Sequence, residues 1–341
     1  MTKTDRVGAT YELASTDDVL ARYQRPGVHA TVVMEFPTPG QVGDDRMVRW
    51  HVRRSELVDA GATTASLEQL DALVRGLEPR GETVLLSADD TDAAFCWLID
   101  RTVDHLAHVG PCPALLAAYD ELADRTPVVI AVVDHLGADL FRLDHLDLTE
   151  IGSVQGEEVE IDPQVRGDQA GYQRRVQVVY DRNADTMARE ITEHAARAEA
   201  RLVLLTGDDR EVRAVTDRLD THRFTVVGVQ AGARRDLDLT ARLRQTAIEQ
   251  SLTDRQTRRD AAVARLHEEL GRHALGVDGR DATAAAAAEG RVATIFVDRS
   301  AAPDDTDSLL RDTLLHSGNA VVADDLRVTD GVAAILRYAA R

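Results

Sequence analysis

The stretch that decides the fold is VVIAVVDHLGADLFRLDHLDLTEIGSVQGEEVEIDPQVRGDQAGYQRRVQVVYDRN, residues 128–183. Residues 128–133 form an apolar, β-branched run of a length suited to one buried strand. Residues 138–143 follow the turn-prone Asp134-His135-Leu136-Gly137, so the two runs read as a strand hairpin. A third extended stretch leads into a polar loop, Arg166-Gly167-Asp168-Gln169-Ala170-Gly171-Tyr172. The loop runs into a helix, beginning near Gly171, that carries Arg174, Arg175, Arg182 and Arg189. Its apolar side is Val176, Val179, Tyr180, Met187 and Ile191. A flexible glycine loop before an arginine-bearing helix is poorly suited to a core and well suited to reaching a phosphate-rich partner.

Downstream the alternation continues. Residues 201–205 are a strand, Thr206-Gly207-Asp208-Asp209 a turn, Val212, Val215 and Leu219 the apolar face of a helix, and 224–229 a further strand. The turn lacks the extra glycines and the Lys-Ser/Thr pair of a phosphate-binding loop and reads as a plain connection. Residues 237–270 are helical, with a candidate break at 251–254. Then come the alanine run 284–288, a strand at 291–297, a helix at 308–315 and strands in GNAVVA (318–323) and GVAAILRY (331–338).

Upstream, Ser15 precedes a helix as its N-cap, and residues 29–36 form a strand stopped by Pro37. Helices are expected at 45–60 and, from Ser66, at 67–77; a strand at 82–87 and an apolar stretch at 93–106 follow. Cys96, His105, His108 and Cys112 have metal-ligand side chains but not the close pairing of a zinc site, so they read as buried cysteines and helical histidines, with no metal bound. The fold expected is α/β in three domains, 1–125, 126–236 and 237–341, with Thr126 and Pro127 marking the first boundary.

At 341 residues the chain is long enough for two or three cores. Forty Lys+Arg against 59 Asp+Glu give a net charge of −19, which argues against a protein that coats nucleic acid by bulk charge. Lys3 is the only lysine, so nearly all positive charge sits on arginine, which forks onto phosphates. Between Gln164 and Arg182 four arginines face two aspartates, a local excess of two positive charges. Two cysteines make no disulfide framework, and no leader or membrane-length apolar run is visible, so a cytoplasmic, monomeric protein is expected. Asp134-His135 and Asp144-His145 are not acid–base pairs by adjacency, because neighbours on a strand point to opposite faces. No serine or cysteine sits in a nucleophile elbow.

The order "VVD-x-x-GADLFRL", glycine–glutamine loop, arginine-rich helix and "ARLVLLTGDDREV" resembles the central domain of the archaeal and eukaryotic release factor 1 and Pelota superfamily. Within it the chain is most similar to the bacterial release-factor-1-like branch, which includes the hibernation factor Balon and its actinobacterial relatives. The segments GRVATIFVD, SGNAVVADD and GVAAILRY resemble that superfamily's C-terminal domain, of the ribosomal protein L30e and L7Ae fold.

The resemblance implies a ribosome-binding protein that occupies the vacant A site. Its N-terminal domain would face the decoding region, its central loop would reach toward the peptidyl-transferase centre through ribosomal RNA, and no cofactor is implied. Its C-terminal domain would dock elongation factor Tu or another translational GTPase, which gives a use to its acidic surface, Asp298, Asp304, Asp305, Asp307, Asp312, Asp324, Asp325 and Asp330. Release factors of the superfamily use a Gly-Gly-Gln loop to position water; the counterpart here is Gly167-Asp168-Gln169, or in another register Ala170-Gly171-Tyr172-Gln173. An aspartate in place of the second glycine restricts the backbone and brings negative charge to a developing oxyanion, which favours binding over hydrolysis. The RNA-contacting residues are then Arg166, Gly167, Asp168, Gln169, Gly171, Tyr172, Arg174, Arg175 and Arg182, with Tyr172 stacking on a base; in the hydrolase alternative Gln169 is catalytic.

Overall fold

The computed structural model describes residues 15–36, 45–77, 83–91, 94–99, 105–123, 127–144, 147–158, 169–232, 238–272, 274–302 and 304–338. These residues form a mixed α/β fold with three sheets, of four, five and four strands. The chain divides into two compact units, one of residues 1–124 with 259–341 and the other of residues 125–258.

In the first unit, α1 (Thr16–Tyr23) starts at Ser15, whose hydroxyl accepts from the Asp18 N–H while the Asp18 carboxylate accepts from the Ser15 N–H. It is followed by β1 (His29–Glu35), α2 (Asp45–Asp59), α3 (Thr64–Gly76), β2 (Thr83–Ala88), β3 (Ala94–Ile99), β4 (Leu106–Gly110) and α4 (Leu116–Ala123). Helix α3 begins before the expected Ser66 because Thr63 caps it, its hydroxyl accepting from the Ser66 N–H at 3.1 Å. The apolar stretch at 93–106 contributes to two strands instead of one element. They lie at opposite edges of an antiparallel sheet ordered β3-β2-β1-β4.

Both faces of that sheet are apolar, as period-2 alternation in β1 requires. Ala30, Val32 and Met34 pack with Trp50, Leu57 and Leu70 of α2 and α3, while Val33 joins Leu85, Trp97 and Leu115 on the other face.

The second unit holds β5 (Val128–Asp134), β6 (Gly137–Asp144), β7 (Asp147–Gln155), α5 (Gln169–Arg197), β8 (Leu202–Gly207), α6 (Asp209–Thr216) and β9 (Thr225–Gly228). The first part of α7 (Leu239–Arg272) belongs to it as well. Its sheet is ordered β7-β6-β5-β8-β9, antiparallel through β7-β6-β5 and parallel through β5-β8-β9. Strand β5 is central and buried on both faces: Val129, Ala131 and Val133 meet α5 and α6, and Val128, Ile130 and Val132 meet α7.

The expected hairpin is present. Asp134 accepts from the Leu136 and Gly137 N–H groups at 2.8 and 3.0 Å. Gly137 has φ +155°, and a Cβ there would lie 1.9 Å from the Val154 carbonyl oxygen, so the turn requires glycine. Helix α7 runs unbroken through 251–254. Thr253 satisfies its hydroxyl on the Glu249 carbonyl and Asp254 pairs with Arg258 one turn on, so neither polar residue draws the backbone out of the helix.

The C-terminal residues return to the first unit. β10 (Gly276–Asp278), α8 (Arg280–Ala288), β11 (Val292–Asp298), α9 (Thr306–Leu315), β12 (Asn319–Ala323) and β13 (Val332–Leu336) give a sheet ordered β10-β13-β11-β12. Ile295, Val297, Leu310 and Ala334 share one apolar core with Val33, Trp97 and Leu115 of the N-terminal half. Polar ties reinforce that core. The Tyr23 hydroxyl donates to Asp307 at 2.6 Å, and buried Asp120 receives Arg259 at 2.5 Å and Arg299 at 2.7 Å.

Candidate RNA interface

The sheet of the second unit delivers its chain to the loop through Asn183. This side chain is 2% exposed, accepts from the Glu157 N–H at 2.7 Å and donates to the Glu157 and His135 carbonyls, each at 3.0 Å. A Cβ on Gly156 would fall within 2.6 Å of the Asn183 amide, so a glycine is needed beside it. Asn183 therefore fixes together the β5–β6 turn, the exit of β7 and helix α5. Sequence reasoning did not single it out, although the signal was there: an asparagine at the position that continues the i+4 core stripe Met187, Ile191 and Ala195.

Of the residues expected to meet RNA, Arg166, Gly167 and Asp168 lie outside the described residues. Gln169 and Gly171 belong to the first turn of α5, so the helix starts two residues earlier than expected and the residues 169–172 are helical instead of looped. Gln169 and Ala170 are compatible with a first helical turn, and a single glycine at 171 does not stop a helix of 29 residues. Tyr172 is half-buried, Arg174 and Arg175 are exposed, and Arg182 is exposed with its guanidinium 3.7 Å from Glu157.

On the expected apolar side, Met187 and Ile191 are fully buried, whereas Val176, Val179 and Tyr180 are only partly so; Ala184 and Ala188 complete the buried face. Arg175, Arg182 and Arg189 recur every seven residues. They share one exposed face of α5 and stand about 10.5 Å apart along its axis at 1.5 Å per residue.

The acids near that face are held from the side. Arg218 pairs with Asp185 at 2.5 Å and with Asp181 at 3.4 Å, and hydrogen bonding to Asp185 raises the Arg218 guanidinium above its ordinary value. Arg210 stacks on the Tyr180 ring at 5.5 Å and bonds to Gln177, and His135 meets the same ring edge-on at 5.7 Å. The ion pairs of Arg182 with Glu157 and of Arg189 with Glu190 (3.3 Å) join exposed groups and are weak competitors for a phosphate.

At the end of β8, the Asp208 carboxylate caps α6 by accepting from the Arg210 N–H at 2.9 Å, so this helix start already carries its own anion. A cavity of about 430 Å³ lies beside it, between α6 and the β9 edge. Glu211, in the first turn of α6, is 4% exposed, and burial pushes its carboxyl up. In the second basic cluster Arg242 and Arg244 are exposed on α7, while Arg234 and Arg235 lie outside the described residues.

The two cysteines are buried as expected, and the reading of the histidines as helical is corrected. His108 lies on β4, not on a helix, because residues 106–110 pair with β1; its Nε2 meets the Cys112 carbonyl at 3.1 Å. Cys96 is buried in β3, and burial followed by the charge of Asp307 pushes the Cys112 thiol up to about 12.

Nor is the C-terminal acidic surface uniform. Asp298 is 7% exposed and accepts from the Ser300 N–H and hydroxyl and the Leu326 N–H, and Asp307 is tied to the N-terminal half; neither is a solvated surface acid. Asp305 and Asp324 pair with Arg280 and Arg299, leaving Asp304 and Asp325 among the exposed acids. No helix among the described residues is long and apolar enough to cross a membrane.

Residues 127–272, less than half of the chain, match the family described as bacterial archaeo-eukaryotic release factor family 2. The release-factor-like resemblance read from the sequence is borne out there. No protein of curated function matches. Among solved structures, the chain is similar to an archaeal Pelota in a ribosome-bound model with ABCE1. Identity is 11%, coverage 100% of this chain and 99% of that one, and the TM-score 0.49. It is also similar to S. cerevisiae Dom34, with 9% identity, 96% and 93% coverage and a TM-score of 0.42. A third is the archaeal translation termination factor aRF1, with 15% identity, 95% and 96% coverage and a TM-score of 0.27.

Proposed function

We propose, taking as premise that residues 127–272 match bacterial archaeo-eukaryotic release factor family 2, that this protein is a ribosome-binding factor that occupies the vacant A site without catalysing hydrolysis. The observation that carries the reading is the arginine face of α5, set at the root of a loop whose Gly-Gly-Gln counterpart is Gly167-Asp168-Gln169. Arginines on one helix contact phosphates locally, which reconciles RNA binding with a chain of net charge −19. In this reading the loop reaches toward the peptidyl-transferase centre, and the C-terminal sheet docks a translational GTPase such as elongation factor Tu. The factor serves idle ribosomes, as in hibernation under stress.

A second reading is a peptidyl-tRNA hydrolase acting on stalled ribosomes. It is favoured by the retention of Gln169 in the Gly-Gly-Gln register, at the start of a rigid helix. Co-sedimentation with vacant 70S ribosomes, with and without elongation factor Tu and GDP, separates the two when run beside release of peptide from a loaded P-site tRNA. Binding without release supports the first reading. Release at a catalytic rate that disappears in Gln169→Ala replaces it with the second.

A further inference from the structure

Between β4, α4 and α9 of the first unit lies a cavity of about 700 Å³, within the roughly 300–1,000 Å³ range of small-molecule sites. Leu106, Leu116, Ala302 and Val322 give it apolar walls. Asp307 stands in the wall. Its Oδ1 accepts three hydrogen bonds, from the Tyr23 hydroxyl at 2.6 Å and from the Leu115 and Leu116 N–H groups at 2.7 and 2.9 Å. Its Oδ2 has no hydrogen-bond partner among the described residues. One oxygen thus fixes the carboxyl in place and the other is left for a ligand; burial pushes this carboxyl up, and an ammonium placed beside it favours the ionised, accepting form.

The other polar residues of the wall are His105, His108, Arg299, Asp304 and Thr306. The Nε2 of His108 faces a carbonyl, which can only accept; the hydrogen is therefore on Nε2, and in the uncharged ring Nδ1 is an acceptor. Asp304, also in the wall, is exposed. The arginine of the wall, Arg299, is already held by Asp120 at 2.7 Å and Asp324 at 3.1 Å. Acceptors and negative charge are in excess over donors, on an apolar floor.

We propose that this cavity binds a small organic cation, a protonated amine on an apolar body, with the ammonium donating to Asp307 Oδ2 and the body against Leu106, Leu116 and Val322. A charge-assisted bond to a carboxylate fixed by three donors loses little freedom on binding.

The test is titration of the full chain, by calorimetry and ligand-observed NMR, with tryptamine and with 3-indolepropionate, which carries the opposite charge on a similar body. Tryptamine is expected to bind one to one and at least about 10-fold more tightly than 3-indolepropionate, about 1.4 kcal/mol. Asp307→Asn is the discriminating variant. Its amide oxygen still serves Tyr23, Leu115 and Leu116, while its NH2 replaces the acceptor by a donor, so the fold is retained and tryptamine affinity falls at least about 10-fold. Ala302→Phe, which fills the cavity without touching the carboxylate, is expected to abolish binding. Equal binding of the two probes, absence of tryptamine binding at millimolar concentration, or tryptamine binding unchanged in both variants overturns the proposal.

Discussion

Single buried polar residues set the geometry of this protein. Asn183 is the clearest. Truncation to alanine removes three hydrogen bonds and leaves the Glu157 N–H and two carbonyls to find new partners beneath α5. Asn183→Ala is expected to cost about 2 kcal/mol of stability, measured by denaturant unfolding, and to weaken ribosome binding because the root of the loop is no longer fixed. Loss of stability with undiminished ribosome affinity would leave Asn183 a purely structural residue.

Glu211 responds to pH in the opposite sense from an ion-paired acid. Burial raises its folded-state value, so the native chain holds this proton more tightly than the unfolded chain does. Its charging costs stability as pH rises through that raised value, and the cost is absent below the ordinary carboxylate range. Glu211→Gln is therefore expected to raise the melting temperature at neutral pH and to leave it unchanged below about pH 4. A gain confined to acid would contradict this assignment.

At the scale of the element, α5 carries the functional argument, and most of it was legible in the sequence. The apolar positions Met187 and Ile191 and the exposed arginines are where 3.6-residue periodicity places them. The start of the helix was not legible, because Gly171 gives a stop signal that α5 overrides with 29 residues of cooperative hydrogen bonding and a packed inner face. If Arg175, Arg182 and Arg189 contact phosphates, each Arg→Gln change lowers the log–log salt slope of ribosome binding by about 1. The slope should be read in co-sedimentation over a range of salt, with Arg201→Gln, at the far end of the helix–strand turn, as a control. Slopes equal to wild type in all three variants would remove the arginine face from the interface.

For the whole molecule, the return of the C-terminal residues to the N-terminal sheet decides stability. Trp97, Leu115, Ile295 and Leu310 share one core, and Asp120, 3% exposed, holds two arginines from the C-terminal part. Asp120→Ala removes the buried carboxylate shared by Arg259 and Arg299 and is expected to destabilise the chain by about 3 kcal/mol, seen as a lowered denaturant midpoint. Deleting residues 259–341 exposes one face of the β3-β2-β1-β4 sheet, so residues 1–258 are expected to lose protection in that sheet by hydrogen exchange while β5 and β8 keep theirs. Equal protection of the N-terminal sheet in the truncated and full-length chains would refute a shared core.

By itself the sequence determined most of the strand and helix segments, that residues 128–133 are a buried strand, and that positive charge is concentrated next to a glycine–glutamine loop. These follow from local periodicity, turn chemistry and residue type, which act over a few positions. Only the tertiary structure decided that residues 93–106 supply opposite edges of one sheet, that Asp298 and Asp307 are held inside, and that Asn183 anchors the loop root. The N- and C-terminal parts closing over a common core is a finding of the same kind. Each depends on partners far away in the chain, and burial between distant segments leaves no local pattern in the residues that it joins.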